Sequence, residues 1–275
     1  MKTENAPSLA EFFGWSHHPF ADTRPLPAPF LSSRDQSFLR LASDLLSHGK
    51  SFALCGPSGA GKSTLLRHLL DTLDPTYYCP VFVPYGGLNR TGLLRALADA
   101  LGVDAASRAV PLLVKLQKQL AALSAEQGRR HPVIAVDDAQ MLERSSLFDL
   151  CALTTGTNRQ AVAASLVLAG DALFRKSLQL HVLDAVSSRL ACVFPADPLD
   201  DKESRDFLLF RLQSARAPAE LFDRDALHLL SSACRGNRRA LVNAGMLLLS
   251  EAYARQEKTV GSELVLHSDL LQASG

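Results

Sequence analysis

Net charge is almost absent from this sequence: 29 Lys and Arg stand against 28 Asp and Glu, a formal +1 over 275 residues. No global field draws such a chain onto nucleic acid or a membrane, so binding of either kind has to come from a local patch. Cysteine is sparse and dispersed. Cys55, Cys79, Cys151, Cys192 and Cys234 form no C-x-x-C pair and each lies in an apolar stretch, which argues against a disulfide framework or a zinc site and fits a reducing compartment. Long apolar runs are missing as well. Ala161 to Gly170, the longest uncharged one, has ten residues with a serine inside, about half of what a bilayer requires. The opening residues Met1 to Asn5 lead into no apolar signal core, so a soluble, cytoplasmic protein without membrane association is expected. The eight histidines, His17, His18 and His131 among them, are scattered and read as structural or solvated. There is no internal repeat and no low-complexity tract.

What is present is a globular composition, 47% hydrophobic and 21% charged, enough for one large domain or two modest ones. The first stretch, 1–32, combines Pro19, Pro25, Pro27 and Pro29 with Phe12, Phe13, Trp15 and Phe20; four large aromatics predict an irregular, extended arm packed on the body. Ser33 with Gln36 has a capping-box pattern, and Phe38, Leu41 and Leu45 follow at helical spacing. From residue 51 short apolar runs alternate with amphipathic ones. Strands are expected at 51–55, 77–83, 133–136, 165–169 and 191–194, with helices at 62–73, 91–101, 111–125 and 145–154 and from Asp171. Five strands interleaved with helices predict a parallel sheet with helices on both faces. After the turn-forming Ala196-Asp197-Pro198 only helical patterns remain: 203–214, 223–234, 238–255 and a short one after Ser268. The expected organisation is therefore the arm, an α/β domain over 33–197 and a small helical domain over 198–275.

Gly56-Pro57-Ser58-Gly59-Ala60-Gly61-Lys62-Ser63, followed by Thr64, is a G-x-x-x-x-G-K-S string between an apolar strand and a helix, the context a phosphate-binding loop requires. Its glycines let backbone N–H groups curl around a phosphate at a helix N-terminus. Lys62 is placed to reach the terminal phosphates of ATP, and Ser63 offers a hydroxyl to Mg²⁺. Val133-Ile134-Ala135-Val136 ends in Asp137-Asp138, an apolar strand delivering carboxylates beside that loop. Asp137 is expected to hold the metal and Asp138 to orient an attacking water. Glutamate is usual at the second place; aspartate is one methylene shorter, which predicts slow hydrolysis, suited to a switch. A strand and two helices intervene between the loop and the acids, as in the additional-strand ATPases, and Arg235-Gly236-Asn237-Arg238-Arg239 opens a helix in the C-terminal domain.

Together these features resemble the AAA+ ATPases, and the chain is similar to the ExeA/GspA-like group within them. Phe12-Phe13-Gly14-Trp15 with Pro19-Phe20 resembles that group's aromatic opening, and Val136-Asp137-Asp138-Ala139-Gln140 its D-E-A-Q strand end. Leu166 to Gly170 resembles its fourth strand, Ser188-Arg189-Leu190 its Q-R-I, and Gly236-Asn237-Arg238-Arg239 with Asn243 its G-x-P-R…N. The compact form looks like the ATPases encoded beside transposases, similar to TnsC, MuB and IstB; the aromatic strand Tyr77-Tyr78-Cys79-Pro80 and Asn89-Arg90-Thr91 resemble that branch.

The resemblance implies a five-stranded AAA+ module with a helical lid. It also implies ATP and Mg²⁺ as cofactors, ATPase activity, and assembly on duplex DNA to recruit a transposase. By position it implies that Phe20 covers the adenine, that Arg189 completes a neighbouring subunit's site and that Arg239 is the lid sensor. Arg238 replaces the family's proline, so either arginine is a candidate at the phosphate. Asp171 stands where a neutral polar residue is usual, and its charge excludes it from the site. The other function carried by the same resemblance is a secretion or pilus-assembly ATPase; a nucleotide switch acting on a protein partner without DNA is a third. Basic positions for DNA are local: Arg90, Arg95, Lys115, Lys118, Arg129-Arg130 and Arg235. Arg90 is the first candidate, and many copies in a ring or filament would sum a few contacts each into salt-sensitive binding indifferent to sequence.

Overall fold

The computed structural model describes residues 8–23, 26–106, 109–125, 130–156 and 163–268. Its chain divides into two compact units: one comprises Ser33–Pro57 and Lys62–Ala196, the other the residues up to Ser32, Ser58–Gly61 and those from Asp197 on.

The first unit is a parallel five-stranded sheet. Its strands are β1 (Ser51–Cys55), β2 (Tyr78–Val83), β3 (His131–Val136), β4 (Ser165–Gly170) and β5 (Leu190–Pro195), in the spatial order β2-β3-β4-β1-β5. Every residue of β1 and β4 is buried, which requires cover on both faces and explains why these strands read as unbroken apolar runs. The cover comes from α2 (Ser33–Ser47), α3 (Lys62–Thr72), α4 (Arg90–Ala100), α5 (Leu112–Ala125), α6 (Arg144–Thr154), α7 (Ala172–Ser177) and α8 (Asp184–Ser187). Leu93, Leu97, Leu116, Leu120, Ile134 and Leu150 are fully buried in its core. Two details depart from the sequence pattern. α2 turns Phe38, Ala42 and Leu46 inward and leaves Leu41 56% exposed, because the i, i+4, i+8 stripe, with a small Ala42 in its middle, is what meets the sheet. The helix begins at Ser33 itself, so Ser32 is the residue before it.

The second unit is helical: α1 (Leu9–Phe13), α9 (Asp201–Ser214), α10 (Arg224–Cys234), α11 (Arg238–Ala254) and α12 (Ser262–His267). The opening segment is not wholly extended. α1 is a short helix closed by a capping box between Ser8 and Glu11, and its aromatics belong to this unit's core: Phe13 stacks on Trp15 at 4.8 Å, and Phe12 meets Tyr253 edge-on at 5.0 Å. The helix expected after Ser268 lies outside the described residues; the last described one ends at His267.

Arg211, on α9, is buried and holds the opening segment. Its Nε donates to the Pro19 carbonyl at 2.8 Å, its Nη2 to the Ala21 carbonyl at 3.2 Å, and Asp22 lies 3.9 Å away. Arg211→Met keeps the apolar stem but strands the buried Pro19 carbonyl, so we expect urea denaturation to show a loss of about 2–3 kcal/mol. An unchanged midpoint would mean that the aromatics alone hold the segment.

Candidate functional site

Register places the chemistry at one edge of the sheet. Cys55, at the end of β1, pairs with Gly170, and Val136, at the end of β3, pairs with Leu168. Counting on, Asp137 stands level with Ala169 and Asp138 with Gly170, so the acid pair leaves the sheet beside the start of the loop, two strand spacings or roughly 10 Å across β4.

The loop follows β1 directly. Gly59 and Gly61 take φ of +79° and +97°, conformations that side-chain-bearing residues avoid. Lys62, 8% exposed, folds its ammonium back to donate to the Gly56 and Pro57 carbonyls, both at 2.9 Å. Burial lowers its pKa below the ordinary lysine value, opposed by the charges of Asp137, Asp138 and Asp171 in that order. Two of its three N–H groups are used, which leaves one for a ligand oxygen. Ser63 and Thr64 are exposed at the start of α3. Burial drives the neighbouring Cys55 thiol up to about 11, so it is an inert filler at the base of the loop.

Asp137, 4% exposed, accepts the Asp138 N–H at 3.0 Å. Asp138 sits in the left-handed region at φ +50°, and its carboxylate accepts from Gln140 Nε2 at 3.0 Å. Asp171 turns its carboxylate onto the Phe174 N–H, 2.8 Å away, as the cap of α7. The residues fit Mg²⁺ and a nucleotide. No group of three or more His, Cys, Asp or Glu among the described residues makes a metal cage by itself, and Mg²⁺ is a cation commonly held by one carboxylate, a hydroxyl and phosphate oxygens. Asp137 and Ser63 are the carboxylate and the hydroxyl that this site offers for such an ion.

Within the helical unit, three consecutive residues at the start of α11 hold the loop tip. Asn237 Nδ2 donates to the Ser58 carbonyl at 2.7 Å while its carbonyl caps Ala240. Arg238 Nη1 donates to the Ala60 carbonyl, and Arg239 Nη1 to Ser58 Oγ at 2.9 Å. The two arginines thus have different work: Arg238 braces backbone, and exposed Arg239 rests on an exchangeable hydroxyl. Asn237 stands at a variable place in its motif, so nothing in the sequence singles out its bond to the loop.

Two sequence expectations change. Phe20 is only 1% exposed, edge-on to Phe222 at 6.0 Å and against Gly245; it is a core ring with no face left for an adenine. Arg90 gives Nε and Nη2 to the two oxygens of Asp149, at 2.5 and 2.9 Å, so its guanidinium is engaged in a two-point pair that ties α4 to α6. Arg129 lies outside the described residues. Arg189 is exposed, bonded to the Ala185 carbonyl at 2.7 Å. It precedes β5, and β5 runs parallel to β1, so it stands at the sheet edge opposite the loop, roughly 15–20 Å from it.

Residues 44–178 match a family model described as an AAA domain. The fold is that of an AAA+ P-loop NTPase. Solved structures with a similar fold include the Aeropyrum pernix ORC2 protein in its ADPNP and ADP complexes, with a TM-score of 0.71, 16% identity and coverage of 91% of this chain and 71% of that one. The ORC1 protein of the same organism, in complex with DNA, has a TM-score of 0.65, 20% identity and coverage of 93% and 68%. The RuvB Holliday junction branch migration motor of Thermotoga maritima has a TM-score of 0.53, 17% identity and coverage of 86% and 68%. No curated protein matches the sequence. No helix among the described residues is long and apolar enough to cross a membrane.

Proposed function

We propose that this protein is an AAA+ ATPase that assembles with ATP on duplex DNA, recruits a transposase and is released by hydrolysis. The observation that carries the ATPase reading is the buried Lys62 ammonium, held at the mouth of the glycine loop and facing the charges of Asp137 and Asp138. In this reading the loop Gly56–Ser63 binds the phosphates and Lys62 stabilises their charge. Ser63 and Asp137 hold Mg²⁺, which supplies Lewis-acid neutralisation when bound, and Asp138 orients the attacking water. Arg239, resting on Ser58, serves as the lid arginine. Arg189, out of reach of its own loop, acts on the loop of a neighbouring copy, which makes turnover depend on assembly.

DNA as the partner draws support from the fold shared with a protein solved in complex with DNA; transposition draws it from the sequence resemblance to TnsC-, MuB- and IstB-like ATPases. Assembly is then a population shift: nucleotide bound between copies favours the assembled state, and loss of the terminal phosphate removes the preference.

The test is sedimentation of the purified chain with and without a non-hydrolysable ATP analogue and with and without duplex DNA. Large assemblies that need both, and are lost in Lys62→Ala, are expected. Assembly with nucleotide alone, indifferent to DNA, would sink the DNA and transposase reading and leave a switch acting on a protein partner. Asp138→Glu restores the missing methylene, and we expect phosphate release to rise about tenfold. Turnover no faster than wild type would show that side-chain reach is not what slows the reaction.

A further inference from the structure

We infer that Gln140 is the positioning residue for Asp138, a role that rests on the ATPase reading above. Gln140 lies in the single helical turn Ala139–Met141 that follows the acid pair. Its carboxamide is used at both ends: Nε2 donates to Asp138 Oδ1 at 3.0 Å, and Oε1 accepts the Asp171 backbone N–H at 3.2 Å. One side chain therefore ties the end of β3 to the end of β4, across the edge at which the phosphate loop begins.

The orientation of the amide follows from chemistry. Reversed, it would set a carbonyl against a carboxylate and an NH₂ against an N–H, two repulsions in place of two bonds. The strut therefore has one sense, and it fixes which Asp138 oxygen is occupied. The rest of Asp138 is fixed too. Its N–H goes to Asp137 Oδ1, its carbonyl accepts the Met141 N–H at 2.9 Å, and Gly86 from the segment after β2 approaches so closely that a Cβ there would stand 2.5 Å from the Asp138 carbonyl oxygen. Oδ2 is the one polar atom of Asp138 without a hydrogen bond among the described residues. A left-handed non-glycine residue is costly unless its surroundings over-determine it, and here they do.

A water-orienting carboxylate works only if its free oxygen is held still. Gln140 does this by holding the other oxygen. Asp171, whose own carboxylate is spent on capping α7, contributes only its backbone N–H as the far anchor.

The two ends of the strut separate by substitution. Gln140→Glu keeps an acceptor for the Asp171 N–H but sets a second carboxylate beside Asp138; Gln140→Leu removes both bonds. We expect kcat for ATP to fall at least tenfold in both variants, with KM and the affinity for a fluorescent ATP analogue within twofold of wild type. Amide hydrogen exchange on the nucleotide-free chain adds a readout independent of turnover: the Asp171 amide exchanges at least tenfold faster in Gln140→Leu and near the wild-type rate in Gln140→Glu. If Gln140 only ties two strands together, turnover follows Asp171 protection and Gln140→Glu retains kcat. That result, obtained alongside an inactive Asp138→Asn, overturns the positioning role and leaves the ATPase reading standing. Full turnover in Asp138→Asn, or none in the wild-type chain with DNA and nucleotide present, overturns the reading itself and the positioning role with it.

Discussion

Replacing Gly236 by alanine is expected to lower stability by about 3–5 kcal/mol, as the sum of a left-handed backbone penalty, a lost hydrogen bond and overpacking against backbone. Gly236 has φ +71°, and a Cβ built on it would lie 1.8 Å from the Leu199 carbonyl oxygen and 2.7 Å from the Leu199 nitrogen. Those neighbours are main chain and cannot rotate away. The two residues must part by more than an ångström, which breaks the 2.9 Å bond from Leu199 N–H to the Gly236 carbonyl. For a chain of this size such a loss corresponds to roughly 6–15 °C in melting temperature. It also moves the start of α11, which carries Asn237, Arg238 and Arg239 onto Ser58 and Ala60. Differential scanning calorimetry measures the first effect. Nucleotide affinity, measured below the transition, reads the second. A melting temperature within two degrees of wild type would mean that the segments slide apart at little cost.

Lys62→Ala carries the largest functional effect. The ammonium is buried, bonded to two loop carbonyls and within the electrostatic influence of Asp137, Asp138 and Asp171. Its removal leaves Asp137, at 4% exposure, facing Asp138 without the cation that balances them, and an incoming polyphosphate then meets net negative charge. We expect nucleotide affinity to fall about 10–100-fold and ATP turnover at least about 100-fold. Arginine is not expected to rescue it, because the longer, planar guanidinium does not fit the buried space that the compact ammonium fills beside the Gly56 and Pro57 carbonyls. Fluorescent nucleotide titration and phosphate release measure the two effects. Affinity unchanged in Lys62→Ala would show that the loop backbone alone binds nucleotide and that Lys62 is structural.

Much of the frame was legible from the residues because each step rests on a local rule. Apolar runs of strand length at 51–55 and 165–169 become fully buried strands, since a parallel sheet covered on both faces needs no polar alternation. Gly56 to Ser63 announces a phosphate loop through spacing and its place between a strand and a helix. What the sequence did not show was partnership between distant residues. Arg90 read as a free cation until the fold set Asp149 against it. Phe20, set over the adenine by the resemblance, is a core ring because α11 and Phe222 close over it. Gln140 was one letter of a motif until β4 brought the Asp171 N–H within reach.

The sequence by itself determined the strand and helix pattern, the phosphate loop and the acid pair, because backbone preference, hydrophobic period and the needs of a phosphate act over a few neighbouring residues. Tertiary structure alone decided which arginines are paired, which aromatics are core and which oxygen of Asp138 is hydrogen-bonded. Those properties depend on groups dozens of residues away that the sheet order β2-β3-β4-β1-β5 brings side by side, and a hydrogen bond has no meaning until both of its ends are placed.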